Sequence, residues 1–334
     1  MEFHTVDRGP EAFQQPVTAV DVLAMCRVAF GAGVRVMSAV ELGIGMYNST
    51  FRVELDGREA VILRVAPAPD RQFRSEWQLM RTEYASVPYL APIASLMPRV
   101  ITADFTGTVI GRDYLFQSLL PGVPAPERLG AYPRSTWAGY FAQLGAIARL
   151  VHSVRGPHFG AVTGPGFSTW SAAVRDSLSA IAGDLDSVGL DSGDVRAVGA
   201  AVADRHSEVL DEITAPCLLS GDLWTVNVLL ADGAAEPTIS GMLDFDRTWW
   251  GDPAADWPIR MAAAKPGTER DAFWDTYGDR DGSPGAVLRS RIYEARHLGA
   301  IRLERHRLGN TQGVTDTYAD LAAVLADLTC APRR

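Results

Sequence analysis

The chain has 334 residues and carries 40 Asp and Glu against 31 Lys and Arg, a net charge of -9 with histidine neutral. With 47% hydrophobic, 9% aromatic and 21% charged residues it can bury a substantial core, so a disordered chain is excluded; the acidic balance and the lack of a basic run argue against a nucleic-acid or membrane partner. Cys26, Cys217 and Cys330 are odd in number, far apart and without a CxxC pair, which excludes a disulfide framework or zinc site and leaves three thiols expected to be buried.

No basic stretch followed by an apolar core opens the chain, and no window approaches about 18 apolar residues, so a cytoplasmic protein is expected. The length exceeds what one core usually serves, and two compact lobes follow. The basic residues are nearly all arginine, Lys265 being the only lysine.

Val22, Met25, Cys26, Ala29 and Phe30 share one face of a helix over 18–30. From 34 to 65 the pattern turns β-branched and alternating, with strands over Val34–Leu42, Ser49–Leu55 and Ala60–Val65 and an Asp56-Gly57 turn between the last two. A helix is predicted over 72–85 between prolines, followed by strands near 98–104 and 112–119. Pro121-Gly122-Val123-Pro124-Ala125-Pro126 marks a boundary that divides the chain into 1–120 and 121–334.

Beyond it helical periodicity dominates. Phe141, Leu144, Ile147, Ala148 and Val151 line one helix, and Val314, Tyr318, Leu321, Leu325 and Leu328 a terminal one; strand character returns only over 216–246. The fold class is therefore α+β, with a five-stranded antiparallel first lobe and a mostly helical second lobe.

That strand-like region carries the chemistry. Ser220-Gly221-Asp222-Leu223-Trp224-Thr225-Val226-Asn227 lies between apolar strands, and Asp244-Phe245-Asp246 follows the next one. Phosphoryl transfer needs a carboxylate to orient the attacking hydroxyl and take its proton, and oxygen ligands for magnesium on the nucleotide phosphates. Asp222, Asn227 and Asp244 supply that set, because Asp-x4-Asn lets one tight loop present both side chains and the hairpin brings Asp244 to the same mouth.

These residues, with Trp250-Gly251-Asp252-Pro253-Ala254-Ala255-Asp256, resemble the aminoglycoside phosphotransferase family, protein-kinase-like enzymes that phosphorylate small hydroxyl-bearing molecules. The resemblance covers nearly the whole chain and implies a two-lobed kinase-like fold, ATP and Mg2+ as cofactors, Asp222 as catalytic base and Asn227 with Asp244 as metal ligands. Ser220 departs from the family's usual histidine, a residue that supports the loop. Asp252 and Asp256 are expected to brace the loop through backbone donors.

By the same resemblance the turn from Glu41 to Thr50 covers the phosphates, with Asn48 and Ser49 at the nucleotide. Arg64 stands where protein kinases place a lysine, paired with Glu76 or Glu83 on the following helix; Glu76 is preferred, and Glu83 is read as solvated. Leu115 to Gly122 resembles the hinge, where backbone groups at Ser118 and Leu120 meet adenine.

The acceptor end leaves two readings open. Arg289, Arg291, Arg296, Arg302, Arg305 and Arg307 form either a solvated helix face or, in part, a cleft wall that favours a neutral or anionic acceptor; Asp271, Asp275, Asp279 and Asp281 point the other way. The function expected is transfer of the ATP γ-phosphoryl group to a hydroxyl of an antibiotic or other natural product. A metabolic kinase of an amino sugar or choline-like alcohol and a nucleotide-binding pseudokinase are the alternatives, while a Rossmann enzyme fails for want of a Gly-x-Gly-x-x-Gly after a first strand.

Overall fold

The computed structural model describes residues 1–9, 12–43 and 45–330. It contains two compact units that interleave along the chain: Met1–Gln72, Ala94–Gly122 and Ser240–Leu243 form one, while Phe73–Ile93, Val123–Ile239 and the chain from Asp244 onward form the other. No described helix is long and apolar enough to cross a membrane.

The first unit is built on a six-stranded sheet of β1 (Glu2–His4), β2 (Val36–Glu41), β3 (Ser49–Leu55), β4 (Val61–Val65), β5 (Val100–Asp104) and β6 (Tyr114–Ser118), ordered β1-β2-β3-β4-β6-β5. The five expected strands are present and pair antiparallel. The sixth, β1, pairs parallel with β2 at the edge. Its three residues are too few for a periodic signal, and it is held by pairing and by Phe3 stacked on Phe51, ring centroids 6.1 Å apart.

Alternation decides which face is covered. Ser49, Phe51, Val53 and Leu55 of β3 are buried while Arg52 and Glu54 are exposed, and the central β4 is buried throughout. The covering helix α1 (Ala19–Phe30) starts at a capping box: Thr18 Oγ accepts from the Asp21 N–H at 3.2 Å, and Asp21 accepts from the Thr18 N–H at 2.9 Å. Its Val22, Met25 and Cys26 enter the core with Phe51, Leu63 and Phe116.

The helix predicted over 72–85 is interrupted. A 3-10 turn Arg74–Glu76 is held by Asp184, which accepts from the Arg74 N–H at 2.9 Å and the Ser75 N–H at 2.8 Å. Gln78 then adopts φ +58, and the α-helix runs only over Leu79–Ser86. Glu76 is therefore not on that helix, and Glu83, expected to be solvated, is buried within it.

The second unit is mostly helical, with long helices Trp137–His152, Trp170–Ser187, Pro284–Arg307 and Thr311–Cys330. Trp170, Leu178, Ile181, Leu185, Ile292, Leu303, Leu321 and Leu328 make its core. Pro284 at the first turn and Ser283, whose hydroxyl accepts from the Ala286 N–H at 3.2 Å, start the helix that later borders the site. Cys26 and Cys217 are buried as expected, but Cys330 ends the last helix exposed.

Candidate active site

Strand pairing assembles the site. Cys217–Leu219 lies antiparallel to Trp249–Gly251, with Leu219 opposite Trp249. The residues leaving the first strand therefore run beside those entering the second, which puts Ser220–Asp222 against the stretch from Asp244 to Thr248. Gly221 has φ +85, and a Cβ there would lie 2.1 Å from the Arg247 carbonyl oxygen. Only glycine permits that approach.

Asp256 clamps the loop from below. Fully buried, it accepts from the Ser220 N–H at 2.7 Å, the Ser220 hydroxyl at 2.7 Å, the Gly221 N–H at 2.8 Å and its neighbour Trp257 N–H at 2.8 Å. His152 Nε2 lies 2.8 Å from the same carboxylate. Burial opposes its ionisation, yet these donors hold the Asp256 carboxyl below its usual range. A serine thus serves at 220 because its hydroxyl joins this set, while an imidazole, that of His152, meets the carboxylate that holds the loop.

Asp252 does a different task. It caps its own turn through the Ala254 N–H at 3.0 Å and accepts from Tyr293 Oη at 2.7 Å and Arg289 Nε at 3.2 Å. Those two partners belong to Pro284–Arg307, so Asp252 ties that helix to the segment behind the loop. The bracing expected of Asp256 is present; Asp252 fixes a helix instead.

The candidate catalytic atoms lie above this clamp. Asn227 Nδ2 donates to the Asp222 backbone carbonyl at 2.7 Å, which turns its Oδ1 to the opposite side of the amide. Asp244 sits at φ +66, a left-handed conformation rare outside glycine and costing about 1–3 kcal/mol, the kind of strain that clusters at functional sites. Burial pushes the Asp222 carboxyl up to about 7; Asp244 and Glu304 add to the shift, while Arg247 and the Asn227 bond oppose it.

This donor set fits a magnesium ion. Asn227 Oδ1 and an Asp244 carboxylate oxygen are hard ligands, and an excess of partly buried negative charge at Asp222 and Asp244 favours a cation. Among the described residues no cluster of three or more His, Cys, Asp or Glu is arranged to hold a metal. Two protein ligands completed by phosphate oxygens and water are what magnesium commonly takes.

Two residues escaped the sequence reading. Glu76 accepts from Arg247 Nη2 at 3.0 Å and is also bound by Arg307. Burial works against the charge on Arg247, but Glu76, Asp246 and Asp222 raise its pKa. Arg247 was hidden as the residue after a triplet, and Arg307 as one member of an arginine-rich helix; neither spacing signals a shared carboxylate.

The other expected residues belong to the first unit. Asn48 and Ser49 are buried at the start of β3, where Gln14 Nε2 donates to the Asn48 carbonyl at 2.8 Å and the Gly45 carbonyl at 3.0 Å. The Leu42 N–H donates to the Thr50 carbonyl at 2.7 Å and closes this turn, of which Ile44 lies outside the described residues. Arg64 is buried on β4 opposite Thr50 and Leu115. The Ser118 N–H donates to the Arg99 carbonyl at 2.9 Å, and Leu120 follows the strand, half-buried.

The family profile described as "Phosphotransferase enzyme family" matches residues 38–291. Among solved structures, the GDP and kanamycin complex of APH(2")-IIIa shares 14% identity and a TM-score of 0.63, covering 92% of this chain and 99% of that one. Aminoglycoside phosphotransferase APH(4)-Ia shares 18% identity and a TM-score of 0.62, covering 94% and 100%. A thermostable APH(4)-Ia mutant, in ternary complex with ADP and hygromycin B, shares 18% and 0.58 over 94% and 100%. These likenesses show the protein-kinase-like fold. No curated protein sequence matches.

Proposed function

The chain belongs to the phosphotransferase enzyme family and acts on hydroxyl groups, and from that premise we propose that it moves the γ-phosphoryl group of ATP to a hydroxyl of an antibiotic or other natural product. The observation that carries the reading is Asp222: its loop is clamped by Asp256, and its carboxylate stands beside Asn227 and Asp244. The nucleotides and antibiotics held by the solved relatives are consistent with it.

In this reading Asp222 accepts a hydrogen bond from the acceptor hydroxyl and takes its proton as the oxygen bonds to the γ-phosphorus and the bond to the β-phosphate oxygen breaks. A carboxyl raised to about 7 is a better proton acceptor than an ordinary aspartate. Asn227 and Asp244 hold Mg2+, which neutralises phosphate charge when bound. The Ser220 and Gly221 amides are spent on Asp256, so the loop is preorganised rather than available to the phosphate.

Residues 1–120 then cover the nucleotide and residues 121–334 carry the catalytic loop and acceptor site. Asn48 and Ser49 bring the turn to the phosphates, Arg64 engages their oxygens, and backbone groups at Ser118 and Leu120 meet adenine. ATP supply places the work in the cytoplasm.

The test is a magnesium–ATP transfer assay read by mass spectrometry over antibiotics, nucleosides and sugars, with wild type beside Asp222→Asn. A phosphorylated product made by wild type alone supports the reading; absence of any nucleotide binding overturns it.

A further inference from the structure

The arginines of Pro284–Arg307 separate sharply by partner. Arg289 is bound by Asp252 and Glu212, Arg291 by Glu294 and Asp327, Arg302 by Asp194 and Arg307 by Glu76. Arg296 and Arg305 differ: among the described residues neither has a carboxylate within ion-pair distance, and nor does Arg260. Arg296 Nε donates to Ser177 Oγ at 2.6 Å, Arg305 to the Gly313 carbonyl at 2.7 Å and Arg260 to the Tyr293 carbonyl at 2.7 Å, all uncharged acceptors.

Two of these cations lie over indoles. The Arg296 guanidinium lies 4.2 Å from the Trp249 ring centroid and Arg260 lies 5.7 Å from that of Trp257. Trp257 packs on His297 at 4.4 Å and edge-on to Trp224 at 6.3 Å, and Trp224 is two residues from Asp222. Arg247 joins the two halves, since its charge acts on Asp222 at one side and on Arg296 at the other.

Among the described residues, positive charge outweighs negative charge around Arg296 and His297. Burial, then the charges of Arg247 and Arg260, bring Arg296 down to about 10. Burial lowers the His297 pKa far below its ordinary value, and Arg260, Arg296, Arg305 and Arg247 lower it further. Glu294 acts on Arg260 but is itself bonded to Arg291 at 2.8 Å. Glu304 acts on Asp222.

Resting on the phosphotransferase reading, we infer that the acceptor carries an oxyanion, a carboxylate, sulfate or phosphate, received by Arg296 and Arg260 over the Trp249 and Trp257 faces while its hydroxyl meets Asp222. Guanidinium forks match oxyanion geometry, and a like charge brought there is rejected. This acceptor is opposite in charge to a polycationic aminoglycoside.

Two readouts test it with the full-length protein. Sodium sulfate, titrated against tryptophan fluorescence at constant ionic strength, is expected to saturate with wild type and Arg296→Lys and to bind at least tenfold more weakly to Arg296→Gln and Arg260→Gln. Thermal midpoints establish that each variant is folded. In parallel, hydroxyl acceptors are supplied in matched sets, one scaffold bearing a carboxylate, its amide or an amine, and product is read by mass spectrometry.

Preference for the carboxylate member, lost in Arg296→Gln through a higher KM, supports the inference. Preference for the amine member, or sulfate binding equal in wild type and both glutamine variants, overturns it while leaving the phosphotransferase reading intact. If no member is phosphorylated, the sulfate titration decides. Failure of ATP binding sinks the phosphotransferase reading instead.

Discussion

Asp256 and His152 lie 2.8 Å apart, Oδ2 to Nε2, beneath the loop that carries Asp222. His152 ends the helix Trp137–His152 and its Nδ1 lies 2.9 Å from Tyr277 Oη, so Asp256 connects three separate segments to the two backbone donors of Ser220 and Gly221. Asp256→Ala removes the acceptor common to these donors and is expected to cost about 3–5 kcal/mol, as for other broken buried pairs. Ser220→Ala removes one bond of five and should cost about 1.5–3 kcal/mol. Chemical denaturation of both variants checks the order; equal losses would contradict the clamp.

His297 and Asp256 each lower stability as pH falls, against Asp222, whose raised carboxyl favours the folded chain between about 7 and about 3.9. His297 is held neutral by burial and nearby guanidinium charge, so below an unfolded imidazole pKa of about 6.5 the unfolded chain binds a proton that the folded chain refuses. Stability from this residue is complete above that pH and declines beneath it. Asp256 is depressed, so its contribution is present above the unfolded carboxyl value of about 3.9 and is lost as pH falls further. Thermal midpoints from pH 7.5 to 5 should drop more steeply for wild type than for His297→Gln.

Asp222→Asn is expected to lower transfer by about 10²–10⁴-fold, the usual range for a general base, with nucleotide binding retained. Asp244→Ala should instead weaken nucleotide binding in the presence of magnesium. Calorimetric titration of ATP with and without magnesium separates the two; an undiminished magnesium effect in Asp244→Ala would remove it from the ligand set.

Glu76 neutralises Arg247 and Arg307 together. Glu76→Ala leaves two guanidinium groups without that carboxylate and should cost about 3–5 kcal/mol. Because the three charges act as one group, Glu76→Gln combined with Arg247→Gln should destabilise by less than the sum of the single changes. A double-mutant cycle on unfolding free energies tests this, additivity being the adverse result.

Gly221→Ala meets two penalties at once, the φ of +85 and the 2.1 Å approach to the Arg247 carbonyl. The expected loss is about 1–3 kcal/mol for the backbone, with a further displacement of Asp222 that reduces turnover. Wild-type turnover in this variant would show that the loop tolerates the shift.

Much of this molecule was legible in its residues. The five antiparallel strands and α1 follow from alternation and 3.6-residue periodicity, which report on local burial directly. Asp222, Asn227 and Asp244 are legible as candidates because one loop and one hairpin carry them, so sequence spacing limits their separation. β1 lay below the threshold of any periodic signal, and the break at Gln78 came from distant capping of Arg74 and Ser75 by Asp184.

The sequence by itself determined the fold class and the family, because both are written in near-neighbour patterns. Only the tertiary structure decided that His152 supports Asp256, that Glu76 joins Arg247 and Arg307, and that among the described residues Arg296 and Arg260 have no carboxylate within ion-pair distance while Arg289 and Arg302 do. Six arginines along one helix are alike in sequence. Charge pairing acts through space over a few ångströms, and what lies within that distance is set by how segments tens to hundreds of residues apart pack.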